Sequence, residues 1–117
     1  MSEKTVQMTM LFDFYGDLLT EKQREYFDLY YNEDYSLSEI AENAGITRQG
    51  VHDIIARDEN TVVETEKKTG LRKRFNDTNK ALDGIAGLAL SIEGADSLED
   101  ARAYARQIDK LIGELKG

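Results

Sequence analysis

Apolar residues recur along this chain at intervals of three and four almost without a break, and the alternation expected of strands is missing. That pattern predicts helices throughout, an all-α chain. Val6, Met10, Leu11, Phe14 and Leu18 mark one side of a first helix running from Lys4 to Leu19. The helix then ends and another begins: Thr20 is placed as an N-cap, and Gln23 as its reciprocal partner in a capping box. Tyr26, Phe27, Tyr30 and Tyr31 carry the second helix, and the polar stretch from Asn32 to Tyr35 leads out of it.

The sharpest signal lies between Ser36 and Ala56. Ser36 and Glu39 form a second capping box, and Leu37, Ile40, Ala41 and Ala44 follow at helical spacing. Gly45 sits where that helix must stop and the chain turn, a position that often needs positive φ. Ile46 is expected to plug the turn and Thr47 to cap a further helix, with Val51, Ile54 and Ile55 on its inner face. The small Ala41 lets two helices cross closely. This is a helix-turn-helix, and it leaves Arg48, Gln49, His52 and Asp53 facing outward, where a DNA-binding protein presents them to the major groove.

The second helix of the motif has no clear stop before Thr69-Gly70. Beyond it, Leu71, Phe75, Thr78, Leu82, Ile85, Ala89 and Ile92 alternate by four and three, a seam of coiled-coil type. Gly94 to Ser97 forms a turn, Ser97 with Asp100 a cap, and Leu98, Ala101, Ala105, Ile108, Ile112 and Leu115 repeat the spacing. The expectation is a helix-turn-helix domain over residues 1–60. Residues 61–117 follow as a linker helix and a C-terminal antiparallel helical hairpin. Each arm's stripe is wide enough for more than one neighbour, so a homodimer is expected.

Charge changes the picture. The chain has 15 Lys and Arg against 23 Asp and Glu, a net −8. All of that excess lies in residues 1–60, while residues 61–117 balance ten against ten. A DNA-reading module usually shows a basic face, because phosphate contacts and counterion release supply much of its affinity. Here the helix-turn-helix half is acidic, and the positive charge is concentrated in Lys67, Lys68, Arg72, Lys73 and Arg74, followed by Lys80. That run can track a phosphate backbone, or it can be a solvated surface offsetting the acidic half. The acidic residues Glu21, Glu25, Asp28, Glu33, Asp34, Glu39 and Glu42 form a solvated face or meet a basic protein partner. The aromatic residues of the first two helices fall at core spacing rather than forming a base-stacking platform.

Candidate chemistry is sparse. His52 is the only histidine, the chain has no cysteine, and no Gly-rich phosphate loop, metal-spaced carboxylate cluster or nucleotide fingerprint is present. Asp53 follows His52 directly, but neighbours on a helix point about 100° apart and make no ready dyad. No enzyme, cofactor or metal is expected. The sequence shows neither a secretory signal nor an apolar run of membrane-spanning length, so a cytoplasmic protein without membrane insertion is expected.

Phe12 to Tyr15, Leu18 to Gln23, Tyr30-Tyr31, Tyr35 to Glu42 and Thr47 to Asp53 together resemble the YlxM family of small bacterial proteins, which implies a first domain similar to region 4 of sigma factors. The resemblance covers about residues 5–68; beyond residue 70 it is a general helical tail. It implies an accessory or regulatory role in the signal recognition particle pathway, since the family's genes typically lie beside that of the particle's GTPase. It also implies a helix-turn-helix that contacts the particle's RNA or protein rather than a promoter, and it brings no catalytic residues. The outer face maps onto Arg48, Gln49 and His52; Gly50 falls where Ala is commoner and His52 where Tyr is commoner. The expected function is therefore a non-enzymatic factor binding the particle's RNA, its GTPase, or both. The alternative is a sequence-specific regulator binding duplex DNA, and a plain helical scaffold is the third reading. The nucleic-acid-binding candidates are Arg48, Gln49, His52, Lys67, Lys68, Arg72, Lys73 and Arg74.

Overall fold

The computed structural model describes residues 2–117 and contains six α-helices: α1 (Glu3–Tyr15), α2 (Glu21–Tyr31), α3 (Leu37–Ala44), α4 (Arg48–Thr69), α5 (Leu71–Glu93) and α6 (Leu98–Lys116). They fall into two compact units, residues 1–72 and 73–117. The boundary expected after residue 60 lies in the middle of α4, which runs unbroken to Thr69 and keeps packing on α1. Its last turns therefore belong to the first unit.

The capping signals formed as the sequence indicates. The Thr20 and Ser36 side chains accept from the backbone N–H of Gln23 and Glu39, and both reciprocal bonds are present. Thr47 caps α4 by accepting from Gly50 N–H, and Ser97 caps α6 by accepting from Asp100 N–H. Gly45 closes α3 in the left-handed region at φ 71°, its N–H donating to the Ala41 carbonyl. Nothing crowds a Cβ at that position. Gly45→Ala therefore reads out the backbone penalty alone, and a loss of about 1–2 kcal/mol in urea unfolding is expected.

In the first unit α1, α2 and α3 all pack on α4. Phe27, Ile40, Val51 and Val62 are fully enclosed, with Met8, Tyr15, Tyr26, Tyr31, Ala41 and Ile55 around them. Phe12 stacks on Phe27 with centroids 4.6 Å apart. Three sequence expectations change here. The first helix ends at Tyr15, and Gly16–Leu18 forms a 3₁₀ turn that delivers Leu19 into the interior. The inward face of α1 is Met8, Leu11, Phe12 and Tyr15, whereas Val6, Met10, Phe14 and Leu18 are exposed. Ile46, expected to plug the turn, is 40% exposed, whereas Ile40 and Val51 of the motif are enclosed.

The second unit is a helical hairpin. Gly84 on α5 faces Leu111 on α6, close enough that a Cβ on Gly84 would stand 3.2 Å from the leucine methyl. Its half-buried apolar positions are Ala81, Ile85, Leu88 and Ile92 on one arm and Ala101, Tyr104, Ile108 and Leu111 on the other. The seam is thus turned by about one residue from the expected one, leaving Leu82 and Ala89 exposed. No residue of α5 or α6 is fully buried.

Candidate nucleic-acid interface

The outer face of the helix-turn-helix is built by the first two turns of α4. Arg48, Gln49, His52 and Asp53 are all exposed, held there because Val51 and Ile55 on the opposite side are locked into the core. The face is partly occupied with itself. Gln49 Nε2 donates to Asp53 Oδ1 at 2.9 Å, and His52 Nδ1 lies 3.4 Å from the same oxygen. The Gln49 bond foremost, then the His52 contact, hold the Asp53 carboxyl below its ordinary range. The amide that would reach a base edge is therefore committed to a neighbouring carboxylate, and that carboxylate is negative. Of the four side chains only Arg48 is a permanent cation.

The basic candidates stand elsewhere. Lys67 and Lys68 are exposed in the last turn of α4, and Lys67 Nζ lies 3.5 Å from Glu64. At 1.5 Å per residue, Lys67 is about 28 Å along the helix axis from Arg48. The two surfaces are therefore too far apart to act as one contact point. Arg72 lies in the first turn of α5, half-buried, with its backbone N–H donating to Glu66 Oε1 at 3.0 Å. Lys73 and Arg74 are exposed in the second unit, where Lys73 Nζ pairs with Asp77 at 3.0 Å.

Two features of the first unit escape a reading of the sequence. Glu66 is a junction post: its Oε1 accepts from the Tyr15 hydroxyl at 2.5 Å as well as from the Arg72 N–H. Tyr15 also meets the Thr69 hydroxyl at 3.0 Å. These bonds fix the end of α4, the left-handed Gly70 and the start of α5 against α1. About two helical turns earlier on α4, Glu59 has a comparable role. It accepts from the Tyr31 hydroxyl at 2.5 Å and lies 3.6 Å from Lys4 Nζ. Burial and the Glu59 carboxylate push the Tyr31 hydroxyl well above the usual phenol range, so it remains a donor at any physiological pH. The second feature is Asp58, fully enclosed, with neither carboxylate oxygen hydrogen-bonded. Burial, and next the charge of Glu59, raise its carboxyl to about 7.

Among the described residues no group of three or more His, Asp or Glu side chains is gathered in a way that could hold a metal ion. No helix among the described residues is long and apolar enough to cross a membrane. What the fold and the capped, outward-facing α4 define is a helix-turn-helix protein built entirely of helices. Over residues 2–100 the chain matches the family described as "Putative helix-turn-helix protein, YlxM / p13 like". A UPF0122 protein of Thermoanaerobacter sp. strain X514 is 43% identical over 115 residues, covering 95% of this chain and 98% of its own. The UPF0122 protein YlxM of Bacillus subtilis is 40% identical over 109 residues, covering 93% and 96%. A UPF0122 protein of Geobacillus kaustophilus is 40% identical over 111 residues, covering 95% and 99%. The chain belongs to the YlxM/p13-like (UPF0122) family.

Proposed function

We propose that this protein is a non-enzymatic, cytoplasmic accessory factor of the signal recognition particle pathway, binding the particle's RNA through its basic run and the particle's GTPase through its acidic first unit. The observation that carries this reading is the separation of charge along α4. The helix-turn-helix face is tied up in the Gln49–Asp53–His52 contacts, while Lys67 and Lys68 are exposed at the far end of α4 and Lys73 and Arg74 are exposed in the second unit. Residues 1–72 hold eight basic against fifteen acidic side chains. Such a field repels the phosphates of a duplex laid along the motif and attracts a basic protein surface. The pathway itself is what the family resemblance implies.

The test is a titration of the purified protein against signal-recognition-particle RNA and against random duplex DNA, side by side, over about 50–200 mM salt. Tight RNA binding with weak DNA binding is expected. Arg72→Glu with Arg74→Glu is expected to weaken RNA binding at least tenfold at the lower salt and to flatten the salt slope by about two contacts. Arg48→Ala with Gln49→Ala is expected to change it less than threefold. The reverse order would move the contact surface to the helix-turn-helix.

One observation favours a second reading, sequence-specific duplex DNA binding. The Thr47-capped start of α4 presents Arg48 and Gln49 in the register that groove-reading helices use. Preference for duplex DNA in the same titration, with Arg48 and Gln49 decisive, would establish it.

A further inference from the structure

We infer that the second unit is half of a four-helix bundle, and that the free face of its hairpin is covered by the same face of a second copy of this chain. A hairpin of 45 residues with no fully buried side chain has no core of its own, and helices in proteins draw most of their stability from packing an apolar face. The apolar surface for such a core is present but exposed. On α5, Leu82 and Ala89 lie seven residues apart; on α6, so do Leu98, Ala105 and Ile112. Leu82 is 51% exposed and Leu98 66%. A seven-residue repeat is the spacing by which one helix packs along another.

The geometry puts these stripes together. Leu82 and Ala89 each follow a seam residue by one position, Ala81 and Leu88; Ala105 and Ile112 follow Tyr104 and Leu111 in the same way. One residue is a turn of about 100° in the same rotational sense on both arms. Because the arms run antiparallel, that common sense brings both stripes onto one face of the hairpin. The face is continuous, about as long as the helices, and flanked by charge. Glu93 and Asp83 lie along the outer edge of α5, and Arg102 and Lys116, with Asp109 between them, along the outer edge of α6.

A two-fold pairing that lays α5 on the partner's α6 therefore sets an acidic edge against a mainly basic one at both rims, while the apolar stripes close into a bundle. Net charge permits it. Residues 73–117 carry seven basic and eight acidic side chains, against eight and fifteen in the first unit, so copies meet through the segment of the chain that repels itself least.

The experiment is sedimentation equilibrium of the full chain. The wild type is expected at twice 13.3 kDa in the micromolar range, and Leu82→Glu with Ile112→Glu at 13.3 kDa with its helical circular dichroism largely retained. Lys80→Glu, off the apolar stripe, is expected to stay dimeric. The chain has no cysteine, so a second measurement is clean: a preparation with Ala89→Cys is mixed with one carrying Ala105→Cys and oxidised. The mixed disulfide between the two is expected to exceed the sum of both like-with-like species, beyond the even split that random pairing gives, because α5 opposes the partner's α6. A wild type that sediments as a monomer throughout, a double glutamate variant that still dimerises as tightly, or a failure of the mixed disulfide to predominate overturns the inference.

Discussion

Asp58→Asn is expected to abolish the fall in stability that the wild type shows between pH 5 and pH 8, so that its advantage over the wild type widens as pH rises. Asp58 is fully enclosed, and neither of its carboxylate oxygens receives a hydrogen bond. A charge in that position has lost its water and gained nothing in return, so the neutral acid is the form the core accepts. Burial first, and the adjacent Glu59 carboxylate second, raise the carboxyl from an ordinary 3.8 to about 7. The folded chain therefore holds this proton more tightly than the unfolded chain does. Between pH 3.8 and about 7 the folded state binds more protons at this site, and stability falls as pH rises through that window. Above it the loss is complete and the curve levels. Each pKa unit corresponds to about 1.4 kcal/mol, so a drop of roughly 2–3 kcal/mol is expected between pH 5 and pH 8.

Asparagine has the same shape and cannot ionise, which removes the slope and leaves the packing. Urea unfolding of both proteins at pH 5, 6, 7 and 8 measures the effect. Parallel curves for the two would mean that Asp58 stays ionised and solvated, contrary to its enclosure. Glu39 and Asp53 do not confuse the comparison. Hydrogen bonds from the Ser36 backbone and side chain lower the first, and the Gln49 amide foremost lowers the second, so the pH dependence of both falls below the pH 5–8 range that is measured.

Asp58 also shows what the sequence could and could not disclose. Val51, Ile55, Asp58 and Val62 step by four, three and four, the inner register of α4, so its position in the core was open to the same periodicity that placed Val51 and Ile55. The segment Arg57-Asp58-Glu59-Asn60 reads as polar, and composition hides a buried member of a polar run. The capping boxes were legible because each is a local contact three residues long, fixed by chemistry within its own turn. The register of α1 was not. Its apolar residues ring the helix rather than lining one side, so which of them turn inward depends on α2 and α4, which no local pattern contains. The same holds for α5, where two overlapping stripes of apolar residues compete and the seam is set by where α6 approaches Gly84.

The candidate site divides in the same way. The exposure of Arg48, Gln49 and His52 follows from Val51 and Ile55 being buried, and helical spacing alone places them outward. Their mutual bonding does not follow from spacing. A glutamine and an aspartate four apart can meet or reach away, and only the rotamers decide. The Glu66 post joins residues fifty-one apart in sequence, Tyr15 and Glu66, and no motif announces such a pair. The acidic and basic segregation is fully visible in the sequence, because net charge per segment is a count. Its consequence for the motif becomes concrete only with an α4 long enough to hold the two surfaces apart.

Phe27→Ala is expected to cost the first unit about 3–5 kcal/mol, the range for removing an enclosed aromatic ring and leaving a cavity. Phe27 has no exposed surface. It stacks on Phe12 with an interplanar angle of 13° and tilts against Tyr31, both at 4.6 Å between centroids. Its ring thus joins α1 to α2, and through Tyr31, whose hydroxyl binds Glu59, it supports the seat of α4. A domain of about 70 residues has only some 4–10 kcal/mol in total, so the variant loses a large share of what holds the motif in shape. Met10→Ala is the matched comparison. The apolar pattern of α1 puts Met10 on the same footing as the core residues, but it is 42% exposed, and a change within about 0.5 kcal/mol is expected for it. Urea midpoints of the two variants decide between the registers. A large loss at Met10 and a small one at Phe27 would mean that α1 packs through its other face, and with that the arrangement of Tyr15 on Glu66 and of Phe12 on Phe27 would fall together.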